Sequence, residues 1–368
     1  MKIPFLSFSR RNLDLKSQAL KLFEDFFDSE YYVLGKFTKQ FEDDYANYNQ
    51  TDYAIGVSNG LDAIHLALKS LGITVGDEVI IPSNTYIATA LAVSYTGAKP
   101  VFVEPNINTF NINPDQIEKS ITEHTKAIIP VHLYGQPCEM DKIIPIAQKY
   151  NLYIIEDNAQ AHGAKFKDQI TGSFGHINAT SFYPSKYIGA FCDAGALTTN
   201  SEVLADKVRM LRNYGSSVRY YNEVIGHNNR IDELQAGLLT ISLKHIKKWT
   251  SERQEIASWY VENLKNISKI KLPFTIDCAI HVYHLFVIRV EQRDDLQEYL
   301  KENGINTLIH YPVPPYLQEA YKHLGYQKGN FPIADELSNT SLSLPMYVGL
   351  TKEQIQYIAS VITDFYDK

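Results

Sequence analysis

A single lysine, Lys186, lies in the stretch SFYPSKYIGAFCDAGA (181–196) without an acidic residue three or four positions away. Burial disfavours the charged form of a lysine, and the neutral amine that results is a nucleophile. Nucleophilic lysines form Schiff bases with carbonyl compounds, including pyridoxal phosphate. The alternative is an ordinary lysine whose ammonium group reaches the surface. Lys186 is therefore a candidate catalytic residue.

A carboxylate, Asp157, follows an apolar run in the stretch LYIIEDNAQAHGA (152–164). At the carboxyl end of a buried strand, such an acid points into the crevice where α/β proteins bind ligands. A pyridoxal enzyme needs an acid against the pyridine nitrogen, because the negative charge keeps that nitrogen protonated and lets the ring accept electrons. Asp157 could instead cap a helix. Together with Lys186, it is the second candidate catalytic residue.

A glycine turn between a strand and a helix in GVSNGLDAIHLAL (56–68) could hold a phosphate group. The backbone N–H groups of Gly60 and Leu61 would face outward at the positive end of the helix dipole. The hydroxyl of Ser181 could add a donor. A glycine before a helix is common without a ligand, so this motif by itself is weak.

Two further side chains could contact a flat cofactor. Tyr86 in PSNTYIATA (82–90) is predicted to begin a helix after a buried strand, so that its ring can lie over the cofactor. Gln160, three residues after Asp157, can donate a hydrogen bond to an oxygen on the ring. The alternatives are a packing aromatic residue and a solvated amide.

The elements that position these residues are predicted from alternating patterns between about residues 53 and 200. Continuous β-branched runs are typical of strands buried on both faces, and their alternation with helical stretches predicts a mostly parallel α/β sheet. Ligands of such sheets bind beyond the carboxyl ends of the strands. The predicted strands are YAIGV (53–57), EVIIPS (78–83), KPVFVE (99–104), KAIIPVHL (126–133) and LYIIED (152–157).

The pattern changes after residue 200. A long helical region, 232–266, is followed by the predicted strand HVYHLFVIRVE (281–291) and by a loop rich in proline and tyrosine, 310–321. We therefore predict two domains. Residues 1–245 would form a large α/β domain that binds the cofactor, and residues 246–368 a small C-terminal α+β domain.

Composition excludes several classes of protein. The 368 residues are 45% hydrophobic and 21% charged, which is ordinary for a globular protein, and the net charge is −7. No block of lysine and arginine predicts binding to nucleic acid or to a membrane. The three cysteines are far apart and form no Cys-x-x-Cys motif, which favours a reducing cytoplasm. No signal peptide, membrane span or metal site is expected.

Several ordered blocks of the sequence resemble the DegT/DnrJ/EryC1/StrS family of sugar aminotransferases. The resemblance extends over nearly the whole chain, and several blocks in order are more specific than any one of them. It implies an aspartate aminotransferase-like (fold type I) architecture, pyridoxal 5'-phosphate as cofactor, and homodimers with active sites shared at the subunit interface. The blocks include SNGLDAIHLAL, PSNTYIATA, VHLYGQP, IEDNAQAHGA, SFYPSKYIGAFCDAGA, GHNNRIDELQAG and HYPVPPYLQEAY.

The resemblance also implies roles for individual residues. Lys186 matches the lysine that binds the cofactor covalently, and Asp157 matches the partner of the pyridinium nitrogen. Leu61 departs from the threonine often found there, but it keeps the backbone N–H. Because relatives with histidine in place of the lysine are dehydratases, Lys186 favours transamination. The other cofactor-binding residues implied are Gly60, Leu61, Tyr86, Gln160 and Ser181, with Asn228 reaching the phosphate bound by the other subunit.

The substrate is predicted from weaker signals. By resemblance the amino donor is L-glutamate and the acceptor a nucleotide-linked keto-sugar, most closely a dTDP-3-keto-6-deoxyhexose, giving an amino-dideoxyhexose for surface glycans. Tyr183, His310 and Tyr311 resemble sugar-contacting positions, and Arg219 could bind the diphosphate, since arginine binds phosphate well. The alternatives are a 4-keto-sugar linked to UDP or GDP, dehydration of the sugar, and a regulatory protein that binds the cofactor without catalysis.

Overall fold

The structure, a computed structural model, describes residues 1–367. Most of its helices pack on a central sheet, and the others belong to the C-terminal part of the chain. The helices are α1 (Ser9–Phe27), α2 (Lys36–Asn49), α3 (Gly60–Ser70), α4 (Ile87–Tyr95), α5 (Pro114–Ile117), α6 (Met140–Lys149), α7 (Glu202–Leu211), α8 (Glu233–Leu243), α9 (Ile246–Leu264), α10 (Arg293–Glu302), α11 (Pro332–Thr340) and α12 (Lys352–Tyr366).

The strands are short, and those of the central sheet are almost entirely buried. They are β1 (Tyr53–Val57), β2 (Glu78–Pro82), β3 (Lys99–Val103), β4 (Thr125–Ile128), β5 (Tyr153–Asp157), β6 (Lys165–Phe166), β7 (Gln169–Ile170), β8 (Ile177–Ser181), β9 (Gly195–Thr199), β10 (Ser216–Val218), β11 (Tyr221–Asn222), β12 (Ala279–Ile280), β13 (Phe286–Arg289) and β14 (Ser341–Leu344).

The central sheet has seven strands in the order β1-β9-β8-β5-β4-β2-β3. The pairs β3–β2, β2–β4, β4–β5 and β5–β8 are parallel, whereas β9 is antiparallel to both β8 and β1. The predicted α/β class with a mostly parallel sheet is confirmed. Because β2, β5 and β8 run in the same direction, the residues that follow them meet at one edge of the sheet.

Both faces of the sheet are covered, as the continuous apolar strands predict. One core includes Leu66 of α3 and Val93 of α4 packed against Ile155 of β5. A core on the other side of β5 includes Ile154 and Ile143 of α6. Helix α3 starts where Asn59 accepts a hydrogen bond from the Asp62 N–H at 2.8 Å, a typical N-cap.

The C-terminal region has its own core around the antiparallel pair β13–β14. The helical region predicted at 232–266 is interrupted once, between α8 and α9. The predicted strand 281–291 is shorter, because only β13 pairs with another strand. The domain boundary at 245/246 stays a prediction. Within the described part of the chain, no helix combines the length and the apolar character that a bilayer crossing requires.

Candidate active site

A cavity of about 610 Å³ opens at the carboxyl ends of β2, β5 and β8. Its walls come from the start of α3, the start of α4, the loop that carries Lys186 and the segment around residue 310. The structure therefore brings together residues far apart in the sequence. The predicted site residues that line it are Gly60, Leu61, Tyr86, Asp157, Gln160, Ser181, Tyr183, Lys186, His310 and Tyr311.

Lys186 lies in a loop between β8 and β9 that other parts of the chain hold in place. Its backbone N–H donates to the carbonyl of Tyr183 at 2.8 Å. The guanidinium Nη1 of the buried Arg11 donates to the carbonyls of Pro184 and Lys186 at 3.0 and 3.3 Å. Burial of the ammonium group lowers the pKa of Lys186 to about 8, although the charge of Asp157 opposes this shift. The residue is thus suited to act as a neutral amine.

Asp157 is buried at the end of β5 and has two hydrogen-bond donors. The hydroxyl of Thr89 donates to its Oδ2 at 2.9 Å, and the N–H of Ala159 donates to its Oδ1 at 3.1 Å. Burial raises the pKa of Asp157, while these two donors and the charge of Lys186 lower it. The amine and the acid therefore line one cavity and interact electrostatically across it. The alternative of a surface lysine does not explain Lys186, and the alternative of a helix cap does not explain Asp157.

The start of α3 approaches Ser181 closely. A Cβ atom on Gly60 would lie 2.5 Å from the Cβ of Ser181, so only glycine fits there. The backbone N–H groups at this helix terminus and the Ser181 hydroxyl line the same part of the cavity. Such a helix terminus is suited to bind a phosphate group. The predicted roles of Gly60, Leu61 and Ser181 stay predictions, and the geometry is compatible with them.

Two aromatic rings and one amide side chain also line the cavity, those of Tyr86, Tyr311 and Gln160. Tyr86 precedes α4, remains 54% exposed, and has its ring centroid 5.2 Å from that of Tyr311. The amide of Gln160 donates from Nε2 to the Tyr311 hydroxyl at 3.1 Å and accepts the N–H of Tyr134 at 2.7 Å. Gln160 is therefore held by the protein more firmly than a solvated amide, and within residues 1–367 no group accepts its second Nε2 hydrogen.

His310 is held from two sides. Its Nδ1 forms a hydrogen bond of 2.8 Å with the Ser343 hydroxyl, and its carbonyl accepts the hydroxyl of Tyr134. Burial, with a smaller effect of the Lys186 charge, lowers the pKa of His310 to about 4. The imidazole is therefore neutral at ordinary pH.

Two predicted site residues do not line this cavity. Asn228 pairs through its backbone with Asn213. Arg219 lies between β10 and β11 with its guanidinium 5.0 Å from the ring centroid of Tyr220, which is 83% exposed. Their predicted contacts with a partner's phosphate and with the diphosphate stay predictions.

Sequence reasoning missed several residues of the site, among them Thr89 and His284. Thr89 follows Tyr86 by three positions, and residues three apart share a helix face, so this spacing was an available signal. His284 lies in a run that was predicted to be a regular strand, and no signal in the sequence placed it here.

The lowered pKa of Lys186 predicts a pH-dependent reactivity. In the cofactor-free protein, the rate at which an amine-reactive reagent labels Lys186 should rise through a midpoint of about pH 8. Exposed lysines should be labelled with a midpoint at about pH 10.4, the ordinary pKa of a lysine side chain. Peptide-level mass spectrometry of samples labelled between about pH 6 and about pH 11, a range that includes both midpoints, measures the two values. A Lys186 midpoint as high as that of the exposed lysines would contradict the buried-amine assignment.

Comparisons with known proteins agree with the geometry. The profile of the "DegT/DnrJ/EryC1/StrS aminotransferase family" matches residues 13–363. The dTDP-3-amino-3,6-dideoxy-alpha-D-galactopyranose transaminase of Aneurinibacillus thermoaerophilus is 46% identical over 363 residues, 99% of each chain. The "pleiotropic regulatory protein" of Geobacillus stearothermophilus is 42% identical over 100% of this chain and 99% of its own. The crystal structure of S. venezuelae DesV in complex with a ketimine intermediate has a TM-score of 0.98, at 42% identity over 100% of this chain and 99% of its own.

Proposed function

Because the chain belongs to the DegT/DnrJ/EryC1/StrS aminotransferase family, we propose that it transfers the amino group of L-glutamate to a dTDP-linked 3-keto-6-deoxyhexose. The product is a dTDP-3-amino-3,6-dideoxyhexose. The observation that carries the proposal is that Lys186 and Asp157 line one cavity. The choice of sugar is supported by the 46% identical relative, whose name gives this class of substrate.

The residues of the cavity fit pyridoxal 5'-phosphate. The amine of Lys186, with its lowered pKa, is a partner for the aldehyde, and the buried carboxylate of Asp157 is a partner for the ring nitrogen. The helix N-terminus beside Ser181 is a partner for the phosphate. When bound, this cofactor supplies an electron-accepting ring that makes the proton on the donor carbon acidic. We propose that Lys186, Asp157 and Ser181 hold it, together with Gly60 and Leu61.

Lys186 performs the proton transfers. With a pKa of about 8, its amine is partly neutral near neutral pH and accepts the proton from the α-carbon of glutamate. The ammonium group then donates a proton, and the same residue acts in the opposite order on the sugar. Arg11 fixes the backbone on both sides of Lys186, so the amine keeps one position during both steps.

Asp157 supplies a fixed negative charge at the floor of the cavity. Thr89 and Ala159 donate hydrogen bonds that favour its charged form against the effect of burial. Tyr86 covers one side of the cavity. The enzyme thus needs no large rearrangement of these groups to stabilise charge as it develops.

The experiment tests the reverse reaction, in which both starting compounds are stable. The purified protein loaded with pyridoxal phosphate receives dTDP-3-amino-3,6-dideoxyhexose and 2-oxoglutarate, and glutamate formation is measured. Parallel reactions with UDP- and GDP-linked 4-amino sugars test the alternative substrates. Glutamate from the dTDP sugar supports the proposal. If the cofactor binds but no sugar nucleotide yields glutamate, the transaminase proposal is replaced by the alternative of a regulatory protein. The name of the 42% identical regulatory relative favours that alternative.

We also propose that the protein is a homodimer whose subunits complete each other's sites. An apolar groove of about 390 Å³ runs between α1 and α8. On its α1 side, Leu13 and Phe23 are 69% and 53% exposed, which is unusual for large apolar residues that share a groove. Among the described residues that line the catalytic cavity, Lys186 is the only lysine or arginine. A second copy could supply the missing groups, and our candidates are the Arg219 guanidinium as a cation for the diphosphate and the Asn228 amide as a further hydrogen-bond donor to the phosphate.

The dimer proposal predicts a result in solution. Light scattering after gel filtration should give twice the mass of the 41.9 kDa chain. Glutamates in place of Leu13 and Phe23 should yield monomers, since charges in an apolar interface are costly to bury, and should abolish turnover. The control is Val75→Glu, because Val75 is 77% exposed and does not line the groove. A fully active monomer would contradict the shared site.

A further inference from the structure

His284 lines the catalytic cavity without a hydrogen-bond partner for its side chain. The residue is only 7% exposed. Among the described residues, no group forms a hydrogen bond with either ring nitrogen. Protein atoms enclose Nδ1, so Nε2 is the nitrogen that a ligand in the cavity can reach. A polar atom that lines a cavity without a protein partner is available to bind a ligand.

The backbone around His284 is held rigidly. The Nη1 of the buried Arg253 donates to the carbonyls of Tyr283 and His284 at 3.0 and 3.2 Å. The N–H of Leu285 donates to the carbonyl of Tyr134 at 3.3 Å. At Gly135, which has a φ of +101°, a Cβ atom would lie 2.8 Å from the backbone nitrogen of His284. The imidazole is therefore presented from a fixed position, as a binding group must be.

The imidazole of His284 is neutral. Burial lowers its pKa well below the ordinary value, and the charges of Lys186 and Arg253 and the rings of His310 and His162 act in the same direction. A neutral imidazole offers one donor and one acceptor. Nε2 is the donor in one tautomer and the acceptor in the other, and a hydroxyl group can pair with either form. A carboxylate or a phosphate would be bound better by a charged group.

The second histidine of the cavity is bound differently. Nδ1 of His310 is already paired with the Ser343 hydroxyl, so His310 has one nitrogen left for a ligand. The hydroxyl of Tyr311 accepts from Gln160. His310 and His284 thus each have Nε2 available for a ligand, and the Tyr311 hydroxyl can still donate its proton.

We propose that His284 is a specificity-determining residue whose Nε2 forms a hydrogen bond with the sugar hydroxyl on a carbon next to the one that receives the amino group. The inference rests on the proposed function. Lys186 must reach the reacting carbon, and His284 lines the same cavity within electrostatic range of Lys186. We expect the group that contacts His284 to lie on a carbon next to the one on which Lys186 acts, because both side chains serve the same ring. For a 3-keto sugar these neighbours carry the hydroxyls at C2 and C4.

The test compares amino sugars that differ by one hydroxyl. The reverse half-reaction of the cofactor-loaded enzyme is followed by its absorbance change with dTDP-3-amino-3,6-dideoxyhexose and with its 2-deoxy and 4-deoxy analogues. The wild-type protein should prefer the full sugar to one analogue by about 10- to 100-fold in kcat/KM, as expected when a buried polar group loses its partner. In His284→Ala that preference should disappear, mainly because the reaction of the full sugar slows.

The glutamate half-reaction serves as the internal control. It should be unchanged in His284→Ala, because glutamate carries no such hydroxyl. His284→Asn, which keeps a donor and an acceptor, should retain part of the preference and is available if the alanine variant does not fold. The matched control is His281→Ala, since His281 is equally buried but its Nδ1 already accepts the N–H of Tyr283. That variant should keep the wild-type preference.

The outcomes separate this inference from the proposed function. If the wild-type protein acts on none of the sugars, the proposed function is wrong. If it acts on them and both His284 variants keep the preference for the hydroxyl, His284 does not contact the sugar. Equal losses in both half-reactions would show that His284 supports Lys186 or the fold, and this too would overturn the inference.

Discussion

The variant Lys186→Ala is expected to lose transamination by about 10⁴-fold, the upper end of what one positioned acid–base group contributes. Two functions disappear together. In the proposed mechanism, the protein loses both the amine that bonds covalently to the cofactor and the group that moves the proton. The surroundings make replacement by a neighbour implausible, because Lys186 is the only lysine or arginine among the described residues that line the cavity.

Mass spectrometry distinguishes these two functions. After reduction with borohydride, the wild-type chain should gain the mass of the cofactor, whereas Lys186→Ala should not, even at saturating pyridoxal phosphate. Lys186→Arg should also be inactive, since arginine stays protonated in proteins. The exposed Lys167, paired with Asp141 at 2.7 Å, provides the control Lys167→Ala. Turnover that survives in Lys186→Ala would remove the basis of the catalytic assignment.

The two central residues could be predicted from the sequence because local rules place them. Asp157 follows a continuous apolar run, and the carboxyl end of such a strand is where α/β proteins bind ligands. The alternation of strands and helices predicted that Tyr86 and Gly60 lie at the same edge of the sheet. Both residues line the cavity together with Asp157 and Lys186. Because parallel strands end at the same edge of the sheet, the residues that follow them lie close together. Their positions could therefore be predicted without knowledge of long-range contacts.

Other features depend on contacts that one sequence does not reveal. Strand β9 (Gly195–Thr199) was not predicted, and it runs antiparallel between β1 and β8. The run 281–291 has the composition of one strand, but its first part pairs with the turn at Tyr134 and Gly135 rather than with a strand. This pairing turns His284 into a residue of the cavity wall.

Two residues predicted to bind phosphate groups lie elsewhere. The resemblance implied that Asn228 reaches the phosphate bound by the other subunit, and Arg219 was predicted to bind the diphosphate, yet neither lines the cavity of its own chain. In the proposed dimer a second copy would bring these positions to the cavity, and the large exposed side chains of α1 support that proposal.

The variant Asp157→Asn is expected to lower turnover by about 10³-fold, because it removes the charge that stabilises a protonated ring nitrogen while it preserves shape. The side chain that remains can still accept the hydrogen bond from Thr89. The loss therefore measures the charge rather than the packing. Thr89→Val is the graded control. It removes a donor that lowers the pKa of Asp157, so its smaller loss of turnover should grow as the pH falls.

The variant Asp157→Asn should make Lys186 more reactive while it makes the enzyme slower. This contrast is the sharpest test of the Asp157 assignment. The charge of Asp157 raises the pKa of Lys186, so without that charge the pKa should fall below about 8. In the cofactor-free Asp157→Asn protein, Lys186 should thus be labelled faster than in the wild type at pH values below that midpoint. A more reactive amine in a far slower enzyme shows that the two residues face one another and that the acid acts on the bound ring. If the labelling midpoint does not move, Asp157 and Lys186 do not interact across the cavity, and the proposed division of roles between them is wrong.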